Sequence, residues 1–288
     1  MTRRGWLLFT AMCVLWGIPY LLIKVAVEDL SPPVVVLART GLGALVLLPI
    51  AVHKGYLTAL RQHWRPLLAF TALEIAGPWL LLTDAERSLT SSLSGLLIAA
   101  VPMVAAVASV LSGGEDRLDR TRVLGLVVGL AGVVTLLGLD VGGDLGAAAE
   151  IALVVLGYAT APLIVSRKLS DVPSLGVIAG SLTLTALVYA PVAALSWPDR
   201  VPSGRVLLSV ALLAAACTVV AFLVFFALIA EAGPNRALVI TFVNPAVAVL
   251  LGVLLLGESL TVGLAVGFPL ILLGCVLATR RSVAPALS

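Results

Sequence analysis

The sequence predicts an all-α integral membrane protein whose ten transmembrane helices form two inverted five-helix repeats, with both termini in the cytoplasm. The first reason is composition: 61% of the 288 residues are hydrophobic, 11% are charged, and the mean hydropathy is +1.16. A chain this apolar must satisfy its backbone hydrogen bonds inside lipid, which favours helices. The second reason is a succession of long apolar runs, and the third is an internal repeat.

The apolar runs are long enough to cross a bilayer, since a membrane-spanning helix needs about 20 apolar residues. Short polar or Pro/Gly connections separate them. The third run is the least regular, because Glu74 and Pro78 interrupt it. We expect the ten spans near residues 5–24, 33–52, 66–83, 91–111, 122–139, 147–166, 174–195, 205–230, 236–256 and 261–279.

The basic residues predict the orientation. Arg3 and Arg4 precede the first apolar run, but that run is too long for a signal peptide and no small-residue cleavage site follows it, so we expect it to remain as a span. With ten spans, thirteen of the eighteen Lys and Arg residues fall on the side that carries both termini. The positive-inside rule therefore places both termini in the cytoplasm.

Two similar segments occur in the two halves of the sequence. VPMVAAVASVLSGGE ends at Glu115 and NPAVAVLLGVLLLGE ends at Glu258, and the two glutamates, like the two prolines, lie 143 residues apart. Because five spans is an odd number, the second copy must enter the membrane from the opposite face. We therefore predict one transmembrane domain made of an N-terminal repeat, residues 1–143, and a C-terminal repeat, residues 144–288. Inverted repeats are typical of alternating-access transporters, whose substrate site lies near the membrane midplane.

Four of the prolines inside predicted spans form two pairs at the same 143-residue spacing. They are Pro19, Pro102, Pro162 and Pro245. Proline lacks an N–H group and its ring clashes with the preceding turn, so we expect these positions to be hinges. Glu115 and Glu258 each precede a span, where the helix dipole favours a carboxylate; a gating role is the alternative.

The residues described so far resemble the EamA family of the drug/metabolite transporter superfamily. VLWGIPYLLIK, the following LSPP and Arg39 are similar to the opening of the family pattern. The stretches from Leu89 to Gly138 and from Gly233 to Thr279 are similar to the end of its repeat, so the resemblance covers nearly the whole chain. Members of this family export amino acids, drugs and other small metabolites, and the overall pattern looks most like the YddG-type aromatic amino acid exporters.

Ionisable groups inside a span are costly enough to mark candidate sites, and four residues qualify: Arg39, Glu74, Glu150 and Lys24. Arg39 lies about two turns into the second span, and its planar guanidinium would suit a carboxylate. Glu74 lies near the middle of the third span and would suit an ammonium group. The alternative is that they are buried structural partners of each other or of backbone carbonyls. Lys24 and Glu150 lie near the outer interface, where we expect their side chains to reach the headgroups.

Aromatic and amide side chains complete the candidate cavity. Trp16 and Tyr20 share one face of the first span, and Tyr158 lies on the corresponding face of the sixth. An aromatic face of this kind could hold the apolar part of a substrate, or it could serve packing alone. The candidate substrate-binding residues are Trp16, Tyr20, Arg39, Glu74, Trp79, Tyr158, Phe242 and Asn244.

These features predict a multi-pass protein of the bacterial inner membrane that exports amino acids, with aromatic and other neutral ones favoured, and related small metabolites by alternating access. An exporter of drugs, nucleosides or other metabolites is one alternative, and a passive channel is another. The sequence contains no HExxH motif, no GxSG motif and no P-loop, so we expect neither an enzyme nor a pump driven directly by ATP.

The expected partners are a small-molecule substrate and membrane lipid. No basic stripe could follow a phosphate backbone, so nucleic acid is not expected. Neither a metal nor a cofactor is expected. GLVVG and GLAVG are GxxxG patterns that allow close helix packing, either within a monomer or in a dimer.

Overall fold

A computed structural model describes residues 1–112, 119–140, 144–233, 237 and 239–279. Over these residues all regular structure is helical. Eight helices are long and apolar enough to cross a membrane, and two apolar helices of 17 residues each follow them. We number them in chain order: α1 (Arg3–Ala26), α2 (Pro32–His53), α3 (Trp64–Ser88), α4 (Ser91–Leu111), α5 (Arg120–Gly138), α6 (Leu145–Lys168), α7 (Ser174–Leu195), α8 (Gly204–Ala232), α9 (Ile240–Leu256) and α10 (Val262–Ala278).

The prediction of an all-helical membrane protein is confirmed. Helices α1 to α8 match the first eight predicted spans to within a few residues, and α9 and α10 lie where the last two were expected. A short helix, Leu57–Gln62, lies between α2 and α3.

Side-chain caps set the start of several helices, because the first N–H groups of a helix have no partner within it. In each of these helices the oxygen of a Ser, Thr or Asp side chain accepts from the N–H group three residues further on. The capping residues are Thr2, Thr90, Asp144, Ser203 and Thr261. The bond from the Ala147 N–H to the exposed Asp144 also lowers the pKa of the Asp144 carboxyl.

Prolines interrupt helices in the first half of the chain. Helix α1 breaks at Ile18, just before Pro19, and α4 has a turn between Ile98 and Val101, just before Pro102. The missing N–H group of proline explains these breaks. By contrast, the matching prolines Pro162 and Pro245 lie inside unbroken helices.

Helices α3 and α8 each contain a six-residue π-helical segment, Thr71–Ala76 and Ala215–Val220, 144 residues apart. The wider turn of a π-helix disturbs the normal backbone hydrogen bonding. The Tyr189 hydroxyl of α7 donates to the Ala76 carbonyl at 2.9 Å, which satisfies one displaced acceptor. The irregularity predicted for the third span is therefore a π-helix that contains Glu74.

Most of the helix packing joins the first half of the chain to the second. Helix α2 packs against α7, α4 against α9 and α5 against α10, while α3 packs against α6 and α8 against α1. Glycines allow the closest of these approaches: a Cβ atom on Gly125 would lie 2.8 Å from the carbonyl oxygen of Gly274. The GLVVG pattern thus packs within the molecule.

The bundle has two ends, which we call the N-terminal face and the opposite face. At the N-terminal face, the Thr2 hydroxyl donates to Glu231 Oε1 at the end of α8, at 2.5 Å. At the opposite face, the Ser203 N–H donates to Asp29 Oδ2 at 2.8 Å, which joins the α7–α8 connection to the end of α1.

Candidate functional site

Arg39 is the central charged residue of the candidate site. It is 7% exposed, and its Nε donates to the Thr218 hydroxyl, in the π-helical segment of α8, at 2.9 Å. Its guanidinium carbon lies 3.5 Å from the centroid of the Trp79 ring on α3. Arg39 therefore joins α2, α3 and α8, with a hydrogen bond at the edge of its guanidinium and an aromatic ring against its face.

The guanidinium of Arg39 keeps unused donors. A guanidinium has five N–H donors, and within the described part of the chain only the Nε group of Arg39 has a hydrogen-bond partner. Two amino groups therefore remain able to donate. Such a pair of donors matches the two oxygens of a carboxylate.

The Thr218 hydroxyl is itself held in place. It donates to the carbonyl oxygen of Leu213, five residues earlier, at 2.8 Å. At the 144-residue spacing of the π-helical segments, Thr218 corresponds to Glu74. The two segments thus present different polar groups at the same relative position.

Two tyrosines surround Arg39. Tyr20 on α1 is buried, and Tyr158 on α6 is half-buried and packs against both of the larger apolar clusters of the core. Both hydroxyl groups lie within electrostatic range of Arg39. The structure thus brings together four of the predicted site residues, Tyr20, Arg39, Trp79 and Tyr158.

Glu74 lies near Tyr158, at the edge of this group, and forms no ion pair with Arg39 in the structure as described. It is half-buried in the π-helical segment of α3, and its Oε2 atom is buried without a hydrogen-bond partner. Tyr158 is the titratable group near it. The alternative that Arg39 and Glu74 are partners of each other therefore does not describe this arrangement.

Trp16 belongs to an aromatic cluster between α1 and α8. Its ring centroid lies 4.7 Å from that of Phe225 and 6.1 Å from that of Phe222. Phe222 also stacks on Phe226. Our sequence reasoning missed these three phenylalanines, although the run FLVFF in the eighth span was a visible signal.

Asn244 uses its amide to join α9 to α1. With the amide nitrogen facing the neighbouring carbonyl groups, it donates to Cys13 O at 3.2 Å and to Ile240 O at 3.0 Å. These bonds satisfy a primary amide next to Pro245. Phe242, two residues after Ile240 on the same helix, is partly buried against the largest apolar cluster. Asn244 therefore belongs to the contact between α1 and α9.

Glu258 closes the opposite face across the two halves of the chain. Its Oε1 accepts from the Ser91 N–H at 2.7 Å, and its Oε2 accepts from the N–H of Ser92 at 3.0 Å and from the Ser92 hydroxyl at 2.5 Å. The chain reaches this position through Gly257, whose φ of 67° is left-handed and suits glycine. Gly252 packs against the same site, with no room for a Cβ atom.

The expectation that Glu258 serves the helix that follows it needs correction. Helix α10 is capped by Thr261, whose hydroxyl accepts from the Leu264 N–H. Glu258 instead caps α4, because α4 and α9 pack side by side. The corresponding Glu115 lies outside the described residues.

Lys24 also binds across helices instead of reaching the headgroups. Its Nζ donates to the carbonyl oxygens of Glu86 and Leu89, both at 2.7 Å, and so caps the end of α3. The side chain of Glu86 is fully buried, and neither carboxyl oxygen has a hydrogen-bond partner. Glu86 was not among the predicted site residues. The signal was its position seven residues after Trp79, on the same face of α3.

Two surface grooves among the described residues lie away from the predicted site residues. One, of about 430 Å³, lies near the N-terminal face and includes Lys54, Pro173 and Phe226. The other, of about 450 Å³, lies at the opposite face between α2 and α8 and includes Leu30, Trp197 and others. Arg39 itself is 7% exposed, so its side chain lies in the interior in this arrangement.

The sequence profile of the EamA-like transporter family matches residues 3–138 and, a second time, residues 147–280. The uncharacterized inner membrane transporter YedA of Escherichia coli strain K12 is 28% identical over 257 residues, which cover 87% of this chain and 82% of YedA. The uncharacterized transporter YvbV of Bacillus subtilis strain 168 is 26% identical over 290 residues, which cover 98% of this chain and 93% of YvbV.

More distant comparisons agree with these. An uncharacterized transporter of Archaeoglobus fulgidus is 25% identical over 286 residues, which cover 96% of this chain and 99% of the relative. A solved crystal structure with 23% sequence identity superposes with a TM-score of 0.69 over 97% of both chains. That likeness shows a shared fold.

Proposed function

Because this chain belongs to the EamA-like transporter family, we propose that it exports amino acids, with aromatic and other neutral ones favoured, and related small metabolites by alternating access. Membership makes the chain a membrane transporter, and the family and the names of the relatives indicate transport and not catalysis. Its location is the bacterial inner membrane, which it crosses several times. The family alone does not select a substrate.

The observation that carries the amino acid proposal is the environment of Arg39. A buried guanidinium with two unused amino groups attracts an anion, and a carboxylate matches its geometry. All amino acids carry this group. Trp79, against one face of the planar guanidinium, fixes its orientation and shields that face from water.

The surroundings favour a broad substrate range. Tyr20, Trp79 and Tyr158 lie around Arg39, and the cluster of Trp16 with Phe222 adds further aromatic surface between α1 and α8. Apolar pockets discriminate weakly, since one methylene changes binding by about 1–3 kcal/mol. We therefore expect side-chain size and apolar area to set preference.

We further propose the ten-span arrangement with inverted repeats, residues 1–143 and 144–288. A helix of 17 residues is about 26 Å long, close to the thickness of the hydrocarbon layer at about 30 Å, so α9 and α10 can span. The double match of the family profile supports the repeat, as do the two π-helical segments and the pairing of helices between halves.

Alternating access requires that each face closes in turn. The contacts of Glu258 and Lys24 support a closed opposite face in the present arrangement. From the distribution of basic residues we assign the N-terminal face to the cytoplasm and the opposite face to the outside. Prolines Pro19 and Pro102, at helix breaks, remain candidate hinges.

Counterflow in proteoliposomes tests the function. Purified protein is reconstituted, the vesicles are loaded with unlabelled phenylalanine, and uptake of labelled phenylalanine is followed. Methionine, threonine and lysine then compete, and phenylalaninol, which lacks the carboxylate, serves as the matched control. We expect trans-stimulated uptake that phenylalanine and methionine compete for strongly and phenylalaninol weakly.

Other outcomes separate the alternatives. Uptake that loading does not stimulate would indicate a passive channel. Competition by nucleosides or cationic drugs, but by no amino acid, would indicate a different substrate class in the same family. Equal competition by phenylalanine and phenylalaninol would contradict the role of Arg39 as a carboxylate site.

A further inference from the structure

Glu86 is an acidic residue whose buried carboxyl group has no hydrogen-bond partner in the described structure. Its side chain is 0% exposed, and both carboxyl oxygens lack a hydrogen-bond partner. A bare carboxylate is costly to bury, because it loses its water without gaining donors. A protonated carboxyl avoids most of that cost. In the closed arrangement Glu86 is therefore neutral.

The groups around Glu86 do not supply the missing donors. Those that face it are Tyr20 and Lys24 on α1, Arg39 on α2 and Glu258 at the end of α9. Lys24 directs its ammonium at main-chain carbonyl groups, and the structure as described contains no ion pair between it and the Glu86 carboxyl. Glu258 is an acid as well, so its charge opposes a second carboxylate.

Groups from the remaining neighbours face elsewhere. Glu150 on α6 lies near Asp84 and Arg87, which form an exposed pair on α3. On α4 the buried hydroxyl group of Ser94 is also unpartnered, so it gives Glu86 no hydrogen bond. The positive charges of Lys24 and Arg39 favour an ionised carboxylate in part, but no side chain among the described residues gives the Glu86 carboxyl a hydrogen bond, and burial opposes the charge.

Glu86 lies next to the contacts that hold the opposite face together, so opening of that face would change the surroundings of its carboxyl group. Its own carbonyl oxygen accepts from Lys24, and Leu89, three residues later, accepts from the same ammonium. Two residues after Leu89 is Ser91, whose N–H group donates to Glu258 Oε1. Separation of α1 or α9 from this corner would admit water to the Glu86 carboxyl.

We propose that Glu86 is a proton-binding site that is occupied while the opposite face is closed and is emptied into water when that face opens. On opening, the O–H bond of the carboxyl breaks, the proton passes to water and a carboxylate remains; on closing, the same step runs in reverse. One proton is thus released to the opposite face on each opening and taken up from the same face on each closing, so acid on that face favours protonation of Glu86 and speeds closing. This coupling rests on the proposed transport function.

The first experiment needs no substrate. Infrared spectra of the reconstituted protein at neutral pH are compared for the wild type and Glu86→Gln, so that any protonated Glu74 contributes equally to both. We expect the band of a protonated carboxyl to decrease in Glu86→Gln and to be unchanged in Asp84→Asn, the exposed control on the same helix. Identical protonated-carboxyl bands in the wild type and Glu86→Gln would overturn the proposal.

The second experiment measures coupling. Labelled phenylalanine transport is recorded with and without acid on the opposite face, and the readout is the ratio of the two rates within each protein. We expect a ratio above about 3 for the wild type and Asp84→Asn, and a ratio near one for Glu86→Gln. The same stimulation in Glu86→Gln as in the wild type, or no stimulation in the wild type, would refute coupling through Glu86.

The two experiments separate failure of this inference from failure of the transport function. If the wild type transports no amino acid, the proposed function is wrong, and the infrared comparison still decides whether Glu86 holds a proton. If transport occurs but the infrared bands coincide, the function stands and the proton site is rejected.

Discussion

The guanidinium carbon of Arg39 lies 3.5 Å from the centroid of the Trp79 ring. This contact joins α2 to α3 in the interior, while the Nε group of Arg39 binds Thr218 on α8 at 2.9 Å. The charge is thus held in one orientation by helices from both halves of the chain. That orientation leaves the amino groups of the guanidinium free for a substrate.

Replacement of Arg39 by lysine should lower transport although the charge is kept. An ammonium group offers neither the flat face that rests on Trp79 nor two parallel donors. Hydrogen bonds to charged groups contribute about 1.5–3 kcal/mol, so we expect initial rates at limiting phenylalanine to fall by roughly 10- to 100-fold. Thr218→Val, which removes one acceptor only, should lose less. Wild-type rates in Arg39→Lys would rule out a carboxylate site here.

Removal of the Glu258 carboxylate should open the opposite face more often. Glu258→Ala deletes a charged cap on α4, which contributes about 1–2 kcal/mol. Labelling of a Ser94→Cys reporter, fully buried in the closed arrangement, by a membrane-impermeant maleimide should become several-fold faster. Glu231→Ala, which loses a contact at the N-terminal face, is the matched control. Equal labelling rates in all three backgrounds would contradict a closing role.

A methyl group at Gly157 should destabilise the protein. A Cβ atom there would clash with the Leu73 carbonyl oxygen, in the π-helical segment of α3. Overpacking of this kind costs about 1–3 kcal/mol. We expect Gly157→Ala to unfold at a lower temperature in detergent, whereas Gly41→Ala, with open space around its Cβ position, should not. A melting temperature for Gly157→Ala at or above that of Gly41→Ala would show that the π-helical segment can shift away from the added methyl group without loss of stability.

Truncation of Trp16 should affect large substrates most. Trp16→Ala removes the ring that packs on Phe222 and Phe225 and leaves a wider apolar surface. Efflux of phenylalanine and methionine from cells expressing the variant should fall more than efflux of threonine. Phe9→Ala provides a comparison, since Phe9 contacts Trp6 near the N-terminal face. An equal loss for all three amino acids would indicate a structural role for Trp16.

The spans could be predicted from sequence because lipid imposes a simple requirement, a long apolar helix. Arg39 could be found for a related reason, as an ionisable residue inside such a run. Its partner Thr218 could not, since it lies 179 residues away and its direction depends on a π-helical turn. Local sequence does not determine which side chains a wider turn brings inward.

Residues near helix ends were the hardest to interpret. Glu86 and Lys24 both occupy positions where a charged side chain usually reaches water. In the fold Glu86 is fully buried, and Lys24 donates to main-chain carbonyl groups at the end of α3. Glu258 was assigned to the next helix along the chain, whereas it caps a helix from the other half. Hydropathy and spacing describe one helix at a time, and these contacts belong to pairs of helices.

The helix breaks before Pro19 and Pro102 have no equivalent at Pro162 and Pro245, which lie in unbroken helices. A broken helix can bend at the break, whereas a continuous helix moves as one rigid unit. The two conformational half-reactions of the cycle would then differ in mechanical character and in barrier height. A carrier assembled from two similar halves can therefore transport faster in one direction than in the other. The substrate gradients still determine its equilibrium.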